Sequence, residues 1–189
     1  ASPSERFRMS ADFALRPIIS EDELRTLHRM IITTFVGGAD LAETLEPYHA
    51  AMRAMPDLPA DARRGIFRGG QLICGCVVYA RQLHIGHGLV PTACIGAVMT
   101  HPDYRGRGLA ARLMRDVIEY ATARGDGLLL LDGINDFYDR FGFVSVHNWT
   151  QFTFQLDEVL AGPRPERSLR PATVEDALAS AGIENDFLS

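Results

Sequence analysis

The chain has 189 residues, 47% of them hydrophobic and 23% charged, and a formal net charge of −5. That length suits one domain with a real core, and no apolar run approaches the ~20 residues that a membrane span needs. The acidic balance, with a pI near 5.7, argues against generic nucleic-acid binding.

In chain order, residues 1–12 form a polar tail without the apolar core of a secretory signal. Residues 13–18, FALRPI, read as an opening strand. Ser20 and Glu23 form the S-x-x-E capping box of a helix whose apolar face is Leu24, Leu27, His28, Ile31 and Ile32. A second helix is predicted from Asp40 to Met55, split or kinked at Pro47. Strands follow at Arg63–Phe67, Leu72–Leu83 and Leu89–Thr100, joined by Gly-rich turns, with a bulge expected at Gly75. Cys74, Cys76 and Cys94 lie in apolar strand-like runs and in no zinc-binding spacing, which reads as buried, reduced thiols of a cytoplasmic protein.

The organising stretch is Ile95 to Ala123, IGAVMTHPDYRGRGLAARLMRDVIEYATA: a strand, an Arg/Gly turn, and a helix. Two glycines within Arg105-Gly106-Arg107-Gly108 let backbone N–H groups converge on a ligand. Leu109, Leu113, Val117 and Tyr120 mark the apolar face of the helix that begins at once. Free amides at a helix N-terminus, reinforced by Arg105 and Arg107, make an anion site suited to pyrophosphate. A Walker loop is excluded because the chain contains no Lys, and a dinucleotide fingerprint fits poorly because some 90 residues precede the loop. Leu128–Leu131 reads as a strand parallel to its predecessor, since a helix crosses between them. A short helix is expected over Ile134–Phe141, then closing strands at Val144–Val146 and Trp149–Leu156.

Val98 to Ala110, VMTHPDYRGRGLA, closely resembles the acyl-CoA-binding signature of the GNAT superfamily of N-acyltransferases, and Tyr138 to Phe143 resembles that superfamily's Y-x-x-x-G-F segment. The resemblance implies an α/β (α+β) fold: a mixed, mostly antiparallel sheet of about six to seven strands, flanked by helices and opened by a V-shaped acyl-CoA slot. It implies acetyl-CoA, or another short acyl-CoA, held by Val98, Met99, Thr100, Arg105, Gly106, Arg107, Gly108, Leu109, Ala110 and Ala111. A main-chain N–H near Val98 is then the oxyanion donor.

Acyl transfer from a thioester to an amine also needs a proton for the leaving thiolate and a base for the amine. Tyr138 is the acid candidate, because a phenol with a pKa near ~10 is protonated at neutral pH; packing against Phe137 and Phe141 is the plainer role for its ring. For the base, the strand before the loop carries no Glu. Asp132, at the C-terminal end of a strand, is preferred over His84, His87, His101 and a water chain. The two function readings are an active N-acetyltransferase and a non-catalytic acyl-CoA-binding module; retention of Tyr138 favours the first. Expected partners are a small-molecule or peptide amine acceptor and a second copy in a homodimer, with neither nucleic acid nor membrane.

The resemblance implies a domain over residues 13–156. Residues 157–167 read as a linker, and 168–177 repeat the domain opening: both Ala14–Glu23 and Ser168–Ala177 read x-L-R-P-x-x-x-E-D-x. Residues 168–189 are therefore expected to begin a second domain, as in tandem relatives of the enhanced-intracellular-survival type, some of which use a C-terminal carboxylate in catalysis.

Overall fold

The computed structural model describes residues 12–37, 40–55, 58–134 and 136–146, together with Arg170, Thr173 and Asp176. Strand β1 (Phe13–Pro17) leads into helices α1 (Glu21–Phe35) and α2 (Leu41–Arg53). Strands β2 (Arg63–Arg68), β3 (Gln71–Ile85) and β4 (Gly88–Thr100) follow, then helix α3 (Leu109–Arg124) and strand β5 (Leu128–Leu131).

The five strands form one sheet in chain order. Neighbours are antiparallel across β1 to β4, because short turns join β2 to β3 and β3 to β4. β5 lies parallel to β4, because α3 carries the chain back across the sheet. The mostly antiparallel mixed sheet is thus as expected, but five strands stand among the described residues rather than six or seven. Val144–Val146 is unpaired and exposed, and Trp149–Leu156 lies outside the described residues.

The sheet is covered on both faces. Against one face packs α3, through Leu113, Met114, Val117 and Ala121, onto Ile66, Cys76 and Val78. On the other, Leu24, Leu27 and Ile31 of α1 pack onto Ile18, Val77 and Met99. A bidentate ion pair ties α3 to β2: Arg64 donates from Nη2 to Asp116 Oδ1 at 2.7 Å and from Nε to Oδ2 at 2.5 Å. Both side chains are under one fifth exposed, with 13% for Arg64 and 17% for Asp116.

Helix α1 starts as its sequence dictates. The Ser20 hydroxyl accepts from the Glu23 N–H at 3.3 Å, and Glu23 accepts from the Ser20 N–H at 3.4 Å. Glu23 also accepts from Arg16 at 2.6 Å. The five residues assigned to its apolar face are all buried. Helix α2 does not split at Pro47. One missing N–H removes a single backbone bond, and the exposed ring sits on the solvent side of the turn.

The repeated motif makes a similar local arrangement in its second copy. Arg170 donates twice to Asp176, at 2.7 Å each, and the Thr173 N–H donates to Asp176 at 2.7 Å. The Arg–carboxylate pair therefore recurs, with both the capping hydroxyl and the carboxylate one position earlier than in the first copy, since Thr173 aligns with Ile19 and Asp176 with Asp22. The linker 157–167 and the rest of 168–189 lie outside the described residues.

Candidate acyl-CoA and acyl-transfer site

The loop after β4 is built by its own backbone. The His101 N–H donates to Ile73 O at 2.8 Å, and Pro102–Tyr104 makes one 3-10 turn closed by the Tyr104 N–H on His101 O at 2.9 Å. Gly106 and Gly108 then take φ of 72° and 73°, the left-handed region in which a side chain costs about 1–2 kcal/mol. A Cβ at either would meet nothing within 4 Å, so both backbones border open space. Gly108 is the N-cap of α3 and offers no capping side chain. The Arg112 N–H reaches Gly108 O at 3.0 Å, so the amides of Leu109, Ala110 and Ala111 have no intrahelical acceptor.

The guanidinium groups are steered into this region. Arg105 donates from Nε to Thr100 O at 3.2 Å, and Arg107 donates to Asp103 O at 3.1 Å while lying 5.2 Å over the Tyr104 ring. Each keeps further N–H donors, and both residues are exposed. Free amides, a helix N-terminus and two guanidinium groups suit a pyrophosphate. Not every position in this stretch presents a side chain to the loop. Met99 is buried on the α1 face and Leu109 in the core under α3, so both contribute backbone only.

Beside the loop, the sheet opens. β4 pairs with β5 from Thr92↔Leu128 to Ile95↔Leu131 and no further. Across β3, Gly75 pairs with Met99 and Val77 with Gly96, so Cys76 faces two residues, Ala97 and Val98. The bulge expected at Gly75 is at this level of the sheet, but the extra residue belongs to β4. Ala97 takes the strain, with φ of 54°. The residue types there, small and β-branched, gave no sign of it.

Tyr138 stands at this opening. It packs edge-on against Phe137, with centroids 4.8 Å apart, and against Phe143 at 6.0 Å. It joins Val98 on the core cluster under α3. A Cβ on Gly133 would lie 2.2 Å from Tyr138 Cε2, so the ring occupies space that only glycine leaves. Burial, and then the neighbouring Cys76, push the phenol pKa up. The hydroxyl is therefore protonated across the neutral range. The predicted helix over Ile134–Phe141 is instead a single 3-10 turn, Asp139–Phe141. Left-handed residues at Asp136 and Gly142 leave no room for more.

The other predicted titratable groups fall in different places. Asp132 follows β5 directly and is exposed, next to the glycine that seats Tyr138. His101 accepts from the Asp103 N–H at 3.4 Å and packs on Tyr104, which makes it part of the loop's frame. His84 and His87 lie at the far tip of the β3–β4 hairpin, where His84 pairs with Leu89. Nine strand residues separate Leu89 from Val98, about 30 Å at the usual rise per residue. Neither histidine reaches the opening. Cys74 and Cys76 are buried free thiols, and burial pushes Cys74 up to about 11. Among the described residues no helix is long and apolar enough to cross a membrane, and no cluster of metal-ligating side chains occurs.

Residues 18–146 match the family description "Acetyltransferase (GNAT) domain". No curated protein sequence matches significantly. Among solved structures, a transcriptional regulator from Bacillus halodurans C-125 superposes with a TM-score of 0.61 at 20% identity, covering 75% of this chain and 99% of that one. A GCN5-related N-acetyltransferase from Kribbella flavida gives a TM-score of 0.57 at 26% identity, over 69% of this chain and only 33% of that one. The aminoglycoside N-acetyltransferase AAC(6')-Iy, in complex with CoA, gives 0.58 at 15% identity, over 76% of this chain and 95% of that one. The matched segment spans both the amide-lined loop and Tyr138, and it covers more than half of the sequence: the chain belongs to the GNAT acetyltransferase family.

Proposed function

We propose that the chain transfers the acetyl group of acetyl-CoA to a primary amine by direct attack, with Tyr138 as the general acid. The observation that carries this reading is the seat of Tyr138. Its ring fills the gap over Gly133, beside the β4 bulge, and no described residue engages its hydroxyl. A phenol kept protonated there donates to the departing thiolate.

The pyrophosphate takes the amides of Gly106 to Ala111 and the side chains of Arg105 and Arg107. The free edge of β4, Val98 to Thr100, supplies backbone to the pantetheine arm. The Val98 N–H, outside the regular ladder, donates to the developing oxyanion. Asp132 is the carboxylate next to the opening and pairs with the acceptor's ammonium as it arrives. The acceptor is a small-molecule or peptide amine, and a homodimer is the proposed assembly. The recurring Arg–carboxylate clamp at Arg170 and Asp176 supports a second domain opening after the linker. Coverage of only 33% of the Kribbella flavida chain also leaves room for further domains in such a relative.

The test is calorimetric titration of acetyl-CoA into the chain and into Gly108→Glu, followed by an amine screen in which Tyr138→Phe is the control. Micromolar binding that Gly108→Glu abolishes, with turnover that Tyr138→Phe removes, supports the reading. Turnover that survives Tyr138→Phe excludes Tyr138 as the acid.

A further inference from the structure

On the α1 face of the sheet, opposite Tyr138, lies a buried polar chain that the reading above does not use. His28 of α1 and His49 of α2 are 0% and 3% exposed. Their Nδ1 atoms are 2.9 Å apart, and His49 Nε2 lies 2.6 Å from Glu21 Oε1. Glu21 also accepts from Arg53 at 2.9 Å.

The tautomers follow from these contacts. Glu21 is ionised, since the His49 hydrogen bond and then the Arg53 charge hold its pKa down against desolvation. His49 Nε2–H therefore donates to Glu21, which leaves His49 Nδ1 as a lone pair. His28 Nδ1–H must then donate to His49 Nδ1, and the free lone pair falls on His28 Nε2. That atom is buried and has no partner among the described residues. So is Arg63 Nε, a donor on β2 whose charge acts on His28. A buried ring nitrogen left with only a lone pair is a place where a water can donate.

The chain also lies close to the β4 bulge. Leu27, next to His28, packs its Cδ1 within 2.9 Å of where a Gly75 Cβ would be, and Gly75 pairs with Met99. Tyr48, edge-on to His28 at 5.3 Å, joins Tyr79 and Ala97 on the same cluster. Val98 and Tyr138 thus pack on the core cluster of one face, and Ala97 packs on that of the other together with Tyr48, the ring neighbour of His28.

We propose that Glu21, His49 and His28 form the proton acceptor for the amine substrate, acting through a water on His28 Nε2. This rests on the N-acetyltransferase reading above. The amine gives one proton to the water, and the water gives one to His28 Nε2. His28 passes its Nδ1 proton to His49 Nδ1. The positive charge then resides on His49, against the Glu21 carboxylate, and His28 stays neutral. The transfer reverses when product leaves and solvent takes the proton. Burial, then the charges of His49 and Arg63, disfavours an imidazolium at His28 itself, so handing the charge to His49 is what makes the site basic. The groups acting on His28 are Tyr48 and His49 from α2, Arg63 from β2 and Glu21 from its own helix, and Glu21 in turn faces Arg53 of α2 and Arg25 of α1. Only Glu21 among them is anionic.

His28→Asn keeps a donor toward His49 and removes the Nε2 lone pair. The experiment measures turnover against pH with three probes, neamine, glucosamine 6-phosphate and spermidine, in the whole chain. Acetyl-CoA affinity and thermal midpoint are measured alongside. The expected result is at least a tenfold loss of turnover in His28→Asn, with the acidic limb of the profile flattened, at unchanged acetyl-CoA affinity. Glu21→Gln shifts that limb by a smaller amount. Long-range proton–nitrogen spectra of the free chain show His28 as the Nδ1–H tautomer. Turnover within twofold of wild type, an unmoved acidic limb, or an Nε2–H tautomer at His28 overturns the relay while leaving the enzyme reading intact. A chain that binds acetyl-CoA and acetylates none of the probes removes both. Should His28→Asn fail to fold, the tautomer and Glu21→Gln decide the question.

Discussion

The ring of Tyr138 lies where a side chain on Gly133 would be, 2.2 Å from the position its Cβ would take. The proposed acid is therefore positioned by an absence of atoms, in a glycine that follows the candidate carboxylate Asp132. Gly133→Ala displaces the ring. Turnover in the amine screen is expected to fall at least tenfold, while acetyl-CoA affinity, set by a loop on another element, stays within twofold. Equal losses in turnover and in affinity would mean that the ring supports the cofactor loop instead.

Tyr138→Phe keeps the packing on Phe137 and Phe143 and removes only the proton. General acids contribute roughly 10²–10⁴-fold, so turnover is expected to drop by about 10²-fold at neutral pH, with a thermal midpoint close to wild type. Pre-steady-state release of CoA is the measurement, since it reports the departing thiolate directly.

Gly108→Glu meets the loop twice. A side chain at φ of 73° costs about 1–2 kcal/mol, and a carboxylate replaces open space where anions are favoured. Acetyl-CoA affinity is expected to fall at least 30-fold, about 2 kcal/mol, by calorimetry. Gly108→Ala carries the backbone cost alone and sits between the two.

Arg64→Ala leaves Asp116 partly buried without its bidentate partner. Breaking such a pair costs about 3 kcal/mol, so the thermal midpoint is expected to fall by roughly 6–12 °C for a chain of this size. The double variant Arg64→Met, Asp116→Leu recovers much of it, because the charge left alone carries most of the penalty. Thermal denaturation of the two variants decides between that account and a plain loss of packing.

Stability also responds to acid through two groups whose folded pKa values are depressed. Glu23 lies near 2, held down first by its Arg16 hydrogen bond, and an unfolded Glu titrates near ~4.3. The stability it contributes is complete above the unfolded value and is lost as pH falls through about 2. His28 lies near 4, lowered first by burial, and an unfolded His titrates near ~6.5. The unfolded chain binds the extra proton between those values, so stability falls from about pH 6.5 downward. Urea midpoints from pH 7 to 4 are expected to decline in the wild type and to decline less in His28→Asn.

The sheet order and the form of the Arg/Gly loop were legible because they rest on local rules. Ser20 and Glu23 mark a helix start, Gly69-Gly70 a hairpin, and Arg105 to Gly108 a loop that opens a helix. Residues 137–143 misled because Phe137, Tyr138 and Phe141 have helical spacing, whereas left-handed Asp136 and Gly142 hold the segment to one turn. The His28–His49 pair was illegible for another reason. His28 reads as one more member of an apolar face, and its partner His49 is on a different helix, brought alongside only by the packing of α1 on α2. Asp116 likewise sits on the helix's polar face, and nothing local pairs it with Arg64.

β4 runs on for five residues past its last pairing with β5. On that side it offers backbone donors and acceptors that no described strand takes up, and sheets recruit partners along such borders. An acyl-CoA arm lying there, as proposed, would pair as a further strand beside the described five and so brace the sheet as well as feed the reaction. Saturating acetyl-CoA should then slow amide exchange along Val98 to Thr100 and suppress self-association on heating. A metabolite pool would thereby set how long the protein survives in its working form, quite apart from how fast it turns over.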